Sequence, residues 1–309
     1  MLKRSISNFL YSVRDDIVYF AGGCKKNWSK DRLITNLEIG YQNDHGRPLR
    51  IAKPELFTEK LQWYKVNYRH PDMSRIVDKY DFKDYIKQKL GEGYTIPVYG
   101  VWDSVKALEK DWESLPEEFC LKSTVQSDGR FIKLIHKKSE VDFRKLRKEL
   151  KKWFNERLTL INSYCGAYYG CKPRILAEQY VKQVGDQLYD YKIFCFSGVP
   201  HCAYVATNHF ESSEYPITFY DLEWNRMNVK YGKHPNEELD KPYHFKEMIE
   251  ISKILSKEFP FVRVDFFDTK DKLLMAELTF YPGGGNTPYN PISFDKELGD
   301  LFILPQVDE

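Results

Sequence analysis

The residues best suited to chemistry lie in two short segments, Val262-Arg263-Val264-Asp265-Phe266-Phe267 and Leu274-Met275-Ala276-Glu277-Leu278-Thr279-Phe280-Tyr281-Pro282-Gly283. Both are apolar runs of strand length, and the polar link Asp268 to Lys272 between them predicts a β-hairpin. Side chains alternate faces along a strand, so Arg263 and Asp265 share one face and Val262, Val264 and Phe266 the other. On the second strand Glu277 and Thr279 share a face, opposite Leu274, Ala276 and Leu278. A link that closes symmetrically sets Glu277 opposite Arg263 and diagonal to Asp265. Two carboxylates beside an arginine, on a hairpin whose other face is apolar, call for a partner cation. Mg²⁺ held together with phosphate oxygens answers that call, because it prefers hard oxygen ligands and takes only one or two carboxylates from protein. A structural ion pair on a solvated hairpin face is the competing account.

The hairpin needs a scaffold, and the rest of the chain supplies one. Helical spacing covers Pro54 to Tyr64 and Ser74 to Leu90, the second ended by Gly91 to Gly93. A short strand follows over Ile96 to Val101 and a helix over Ser104 to Trp112. Phe119 to Thr124 and Phe131 to Ile135 are strand-like about a turn at Ser127-Asp128-Gly129. Asp142 to Leu160 sets Leu146, Leu150, Trp153, Phe154 and Leu158 on one side of a helix and a basic run on the other, which fits a solvated face. Ile175 to Val181, Asp190 to Phe196 and His201 to Ala206 are strands, and Lys246 to Phe259 is the last helix before the hairpin. This order predicts an α+β arrangement with mainly antiparallel sheets.

At 309 residues, with 42% hydrophobic, 30% charged and 16% aromatic residues, the chain has ample core for two domains, or for one large domain with an appendage. The composition argues against disorder or a disulfide framework. A net charge of +2 compels no polyanionic partner, so nucleic acid is not expected. The six cysteines form no CxxC pair and sit partly inside apolar runs such as Phe194-Cys195-Phe196, which points to free thiols and the cytoplasm. Met1-Leu2-Lys3-Arg4 with Ile6, Phe9, Leu10 and Val13 begins like a signal peptide, but Arg14, Asp15 and Asp16 interrupt it. An amphipathic helix is expected there, packed on its own protein or touching a membrane surface as a peripheral contact.

The ordered set is distinctive: Asp78-Lys79 at a helix start, Lys122 at a strand end, Glu178-x-x-Val181, Asp190-x-Lys192, Arg263-x-Asp265, and Glu277-x-Thr279-x-x-Pro282-Gly283. It resembles the ATP-grasp superfamily of carboxylate–amine ligases. More closely it resembles the TupA-like branch, named for teichuronopeptide biosynthesis and found with bacterial cell-surface polysaccharide genes. The branch-level likeness rests on Phe57-Thr58-Glu59-Lys60-Leu61-Gln62-Trp63, Val77-Asp78-Lys79-Tyr80, Leu115 to Lys122, Asp190 to Gly198, Phe219 to Asn225 and Glu277 to Gly283, and it spans roughly residues 50 to 305.

The resemblance implies an ATP-grasp fold in which two α+β subdomains clasp ATP behind a smaller N-terminal region. The expected divisions are residues 1–110, a small subdomain at 111–182, and a C-terminal subdomain with the metal site at 183–309. It implies that Lys79 and Lys122 reach phosphate oxygens, a task suited to flexible ammonium groups. Glu178, Gln179, Tyr180 and Val181 would form the hinge whose backbone reads adenine, Asp190 would hold the ribose hydroxyls, and Lys192 would face the phosphates. Asp265, Glu277 and Thr279 would hold Mg²⁺, and Arg263 would stabilise charge on the transferring phosphoryl group or the tetrahedral intermediate. For the residues alone, surface lysines, a plain buried strand and an Asp190–Lys192 ion pair remain open alternatives. Two positions depart from the family: Thr279 stands where asparagine is usual, and the loop after Lys122 keeps only Gly129 in Gln126-Ser127-Asp128-Gly129-Arg130. Arg130 is a candidate to restore charge there, unless the loop closes differently.

The activity implied is amide formation between a carboxylate and an amine, with ATP and Mg²⁺ as cofactors and an acyl phosphate between them. The polysaccharide context points to a uronic-acid carboxylate, and to an amino acid or small amine as its partner. Phosphoryl or glycosyl transfer onto a glycan in the same cleft, or a nucleotide-binding module without turnover, are the alternatives. Pro282 to Gly285 is either a turn or a loop approaching the acceptor carboxylate.

Overall fold

The computed structural model describes residues 30–125, 131–154, 166–168, 171–181, 189–207, 215–269 and 271–306. The N-terminal helix expectation, the loop around Gly129 and Arg130, the end of the helix expected to reach Leu160, Cys24 and Cys165 lie outside them. In chain order the elements are α1 (Lys30–His45), α2 (Phe57–Asn67), α3 (Met73–Val77), α4 (Asp81–Leu90), β1 (Val98–Trp102), α5 (Val105–Asp111), β2 (Phe119–Ser123), β3 (Ile132–Ile135), α6 (Phe143–Trp153) and β4 (Ile175–Glu178). Then come β5 (Tyr189–Phe196), β6 (Val199–Thr207), β7 (Ile217–Tyr220), β8 (Lys230–Tyr231), α7 (Phe245–Ser256), β9 (Phe261–Asp268), β10 (Leu273–Thr279), β11 (Tyr289–Asn290) and α8 (Ile292–Leu301).

Two antiparallel sheets result. The smaller has the strand order β1-β4-β2-β3 and the larger β10-β9-β5-β6-β7, with β8 and β11 forming a separate pair. In the smaller sheet Phe119, Leu121, Ile135, Ile175 and Ala177 share a cluster with Leu108 of α5 and with Leu146, Leu150 and Trp153 of α6. That last trio sits at helical spacing, and each such side chain contributes roughly 1.5–3 kcal/mol on full burial. Alternation leaves Cys120, Lys122, Leu176 and Glu178 on the opposite face. In the larger sheet, α7 packs on β5, β6 and β9 through Phe245, Met248, Ile251 and Leu255. The face away from it therefore carries Lys192, Arg263 and Asp265.

Three expectations need correction. Ser74 to Leu90 is two helices, because Asp78 is extended (φ −77°, ψ 117°) and its carboxylate accepts the N–H groups of Tyr80 and Asp81 at 2.9 and 3.1 Å. A local cap outcompetes a continuous helix, and Lys79 lies in the break. The smaller sheet also begins before residue 111, since β1 is its edge strand on β4.

The third correction concerns the hairpin. Glu277 pairs with Asp265 and Thr279 with Arg263, not Glu277 with Arg263. The link closes on Asp268–Leu273, one residue off the symmetric register, and a bulge between Met275 and Glu277 adds a second shift. One shift alone would turn Glu277 to the face of Val264; the two together return it and Thr279 to the face of Arg263 and Asp265. Leu274, ahead of the bulge, pairs with Phe267 and so shares their face instead of the apolar one expected.

Candidate active site

Two clusters of charge meet on the inward faces of the sheets. In the larger sheet, Arg263 is 5% exposed and Asp265 0%, so each must find its partners within the protein. Arg263 Nε donates to Asp265 Oδ1 at 2.7 Å and Nη2 to Oδ2 at 2.5 Å, the bidentate geometry that a guanidinium allows. Nη2 also reaches Thr279 Oγ1 at 3.0 Å and Glu277 Oε1 at 3.3 Å, and Nη1 donates to the Tyr204 hydroxyl at 2.8 Å. The Thr279 hydroxyl in turn donates to Glu277 Oε1 at 2.9 Å. Lys192, opposite Asp265 on β5, places its ammonium 2.8 Å from Asp265 Oδ2 and 3.1 Å from Asp190 Oδ2. Both ion pairs exist, so the Asp190–Lys192 contact expected as an alternative is real and part of a larger network.

The electrostatics of this cluster are uneven. Burial would raise the Glu277 carboxyl, but Lys192, Lys79 and Arg263 hold it at about 2. Burial raises the Asp265 carboxyl against the pull of Arg263 and Lys192. For Lys192 burial works downward, and Asp190 with Asp265 outweighs it, leaving the ammonium above the usual lysine range. The cluster is thus ionised at Glu277 and cationic at both Lys192 and Arg263.

The second cluster lies on the smaller sheet. Glu178, 3% exposed on β4, receives the Lys122 ammonium from the adjacent β2 on Oε1 and the Lys83 ammonium from α4 on Oε2 at 2.9 Å. Against burial, these two lysines hold the Glu178 carboxyl below its usual range. Lys79 connects the clusters: its backbone N–H donates to Thr124 O at 2.9 Å, and its ammonium lies in the field of Glu277, Lys122 and Glu178. Burial nevertheless keeps Lys79 below the usual lysine range. Lys122 also feels Asp190 across the cleft.

The segment after Glu178 adds an apolar wall. Gln179 N–H donates to Pro97 O at 2.9 Å, and the Tyr180 ring meets His136 edge-on at 5.3 Å. Val181 packs with Ile96 and with Phe267, Leu274 and Ala276 of the hairpin, so this patch joins the two sheets. Among the described residues no group of three or more His, Cys, Asp or Glu side chains forms a metal cage; the donors are two carboxylates and a hydroxyl. The Pro282–Gly285 turn is held by α2, with Gln62 Nε2 donating to the Gly284 and Gly285 carbonyls at 3.1 and 3.0 Å and Lys65 donating to Gly284 O.

Among the described residues, Lys79, Lys122, Glu178, Asp190, Lys192, Arg263, Asp265, Glu277 and Thr279 fall in or between these two clusters, Gln179 and Tyr180 lie beside Glu178, and Val181 lies in the apolar patch; Arg130 lies outside the described residues. Sequence reasoning missed Lys83 and Tyr204. Lys83 looked like any helical lysine, and Tyr204 is one of 22 tyrosines; only the strand register, which sets Tyr204 opposite Lys192, marks it.

The sequence matches the family described as TupA-like ATPgrasp over residues 59–303. No curated protein matches the chain. Among solved structures it is similar to D-alanine-D-alanine ligase from Helicobacter pylori, with TM-score 0.47 and 16% identity over 80% of this chain and 68% of that one. The ligase of that name from Coxiella burnetii gives TM-score 0.45 and 14% identity over 79% and 63%. N5-carboxyaminoimidazole synthetase from Staphylococcus aureus, complexed with ADP, gives 0.39 and 16% over 74% and 50%. The chain thus spans between 50% and 68% of these three proteins. With both charge clusters and the Glu178 to Val181 segment inside the matched range, the chain belongs to the TupA-like ATP-grasp family and has the ATP-grasp fold.

Proposed function

We propose that this protein is an ATP-dependent carboxylate–amine ligase that forms an amide through an acyl phosphate and releases ADP and phosphate. The observation that supports this most is the opposition of the Arg263–Asp265–Glu277–Lys192 cluster to the Lys122–Glu178–Lys83 cluster, with Lys79 in the field of both. A triphosphate between them would replace carboxylates as the partner of Lys79, Lys122 and Lys192. The adenine would lie on Ile96, Val181 and Leu274 beside the backbone of Glu178 to Val181. Gln179 has already committed its N–H to Pro97, so base recognition falls to the other backbone groups of that segment.

Mg²⁺ fits the donor set. Glu277 is ionised, and its hydrogen bonds with Arg263 and Thr279 both land on Oε1. Asp265 gives Oδ1 to Arg263 and Oδ2 to both Arg263 and Lys192, and would hold the ion through a lone pair of Oδ2 if Lys192 turned to phosphate. Thr279 would serve through its hydroxyl. The ion would supply charge neutralisation on the phosphates.

Catalysis then rests on positioning and charge. An acceptor carboxylate oxygen bonds to the γ-phosphorus as the bond to ADP breaks, with Lys79, Lys122 and Lys192 neutralising the phosphoryl oxygens. The amine attacks the acyl carbonyl, and Arg263 donates to the oxygen that becomes negative before phosphate leaves. The substrates proposed are the uronic-acid carboxylate of a cell-surface glycan and an amino acid or amine. The compartment proposed is the cytoplasm, in keeping with free thiols at Cys120, Cys171, Cys195 and Cys202.

The test is ADP release from Mg²⁺-ATP with uronate glycans and amino acids, in wild type and Glu277→Gln. Release that needs both a carboxylate and an amine, and is lost in the variant, is the expected result. Release without an amine would replace the ligase by a kinase.

A further inference from the structure

Glu178 carries one negative charge and holds two ammonium groups, which is more than its own neutralisation needs. The two lysines are anchored differently. Lys122 comes from the neighbouring strand β2, and Glu178 is its hydrogen-bond partner among the described residues. Lys83 comes from the first turn of α4 and has a second bond, from its ammonium to Ile96 O at 2.9 Å, which ties it to the wall of the cleft.

This asymmetry matters when a phosphate arrives. Glu178 is 3% exposed, and a buried carboxylate stripped of its only cation carries a large desolvation cost. With Lys83 present, Lys122 can leave Glu178 and the carboxylate still keeps a partner. We propose that Lys83 is a positioning residue of the nucleotide site: it holds the charge of Glu178 so that the Lys122 ammonium is free to transfer to a nucleotide phosphate. The inference rests on the reading of Lys122 as a phosphate-binding group. Lys83 itself touches neither base nor phosphate; it acts through Glu178.

The experiment is calorimetric titration of the full chain with Mg²⁺-ATP and, separately, with adenosine, which has no phosphate to draw Lys122 away. Lys83→Met is expected to weaken Mg²⁺-ATP at least about tenfold and to leave adenosine within about twofold. Lys83→Arg, which keeps a cation on Glu178, is expected to hold near wild-type affinity. Adding Glu178→Gln to Lys83→Met is expected to recover most of the lost ATP affinity, because the carboxylate that traps Lys122 is gone. Lys83→Met binding ATP like wild type, while Lys122→Met loses it, overturns the role of Lys83 and leaves the nucleotide site standing. Equal loss of ATP and adenosine in Lys83→Met overturns it in favour of a structural prop. Wild type that binds neither ligand, or Lys122→Met that keeps full ATP affinity, overturns the underlying reading of the site and this inference with it.

Discussion

At the scale of single residues, the site is governed by how Arg263 spends its donors. Nε and Nη2 hold Asp265, Nη2 also reaches Thr279 and Glu277, and Nη1 donates to Tyr204, so the guanidinium is fixed before any substrate arrives and the second N–H of Nη1 is the donor proposed for the oxyanion. Tyr204→Phe removes one acceptor from a buried charged donor, a bond worth about 1.5–3 kcal/mol. Because Arg263 is proposed to act on the developing oxyanion, turnover should fall about tenfold or more while the KM for ATP changes little. A steady-state ADP-release assay checks this, and a rise in KM alone would remove Tyr204 from the reaction. Glu277 gives a pH signature at the same scale. Its carboxyl sits at about 2 in the folded protein, below its ordinary value of 4.5, so its contribution to stability is present above the ordinary value. That contribution is lost as pH falls from about 4.5 toward 2. Over that window Glu277→Gln should lose less stability than wild type does, as read from Tm against pH. Parallel Tm curves would mean that Glu277 is not held ionised by its cations.

At the scale of elements, the positions of these residues depend on small backbone devices, and these are what the sequence leaves hidden. The faces of β9 and the strand identity of β5 and β6 follow from alternation in Arg263-x-Asp265 and Asp190-x-Lys192. The bulge after Met275 does not, since no glycine or proline marks it and Ala276 fits either register. The same holds for Asp78: helical spacing continues through it from Ile76 to Tyr85, and only its contacts mark a new start. Arg174 adds to them, with Nη2 2.8 Å from Asp78 Oδ1 and 2.9 Å from Asp81 Oδ1. α8 and β7 also went unread, because they are short and take their order from packing against the rest. Asp78→Ala removes a cap and one partner of Arg174, so it should cost about 1–3 kcal/mol in urea denaturation. It should also weaken Mg²⁺-ATP, because Lys79 occupies the break that Asp78 makes. Stability and ATP affinity both at wild-type levels would show that the break is held by something else.

At the scale of the whole molecule, the α2–α8 contact decides whether the N-terminal and C-terminal ends of the described chain act as one body with the larger sheet. Asp295 of α8 accepts from the Thr58 backbone at 2.9 Å and from its hydroxyl at 2.7 Å, and Lys60 of α2 donates to the Gly299 and Phe302 carbonyls at 2.8 and 2.9 Å. These bonds require close approach, and Gly299 makes it possible. A Cβ at that position would lie 2.1 Å from Glu55 O and 2.9 Å from Phe57 N, which are backbone atoms with no rotamer to yield. Gly40 of α1 offers the comparison, since a Cβ there meets nothing within 4 Å. Helix propensity alone favours alanine over glycine by about 1 kcal/mol at both positions. Gly40→Ala should therefore stabilise the protein by about 0.5–1 kcal/mol. In Gly299→Ala the same gain is set against forced separation of α2 from α8, which exceeds it, and a net loss of about 2 kcal/mol is expected. Opposite shifts of Tm in the two variants would confirm that the α2–α8 backbone contact, not helix propensity, sets the sign. Should Gly299→Ala instead gain stability alongside Gly40→Ala, α8 must be free to move off α2, and the C-terminal segment would not be a fixed part of the scaffold.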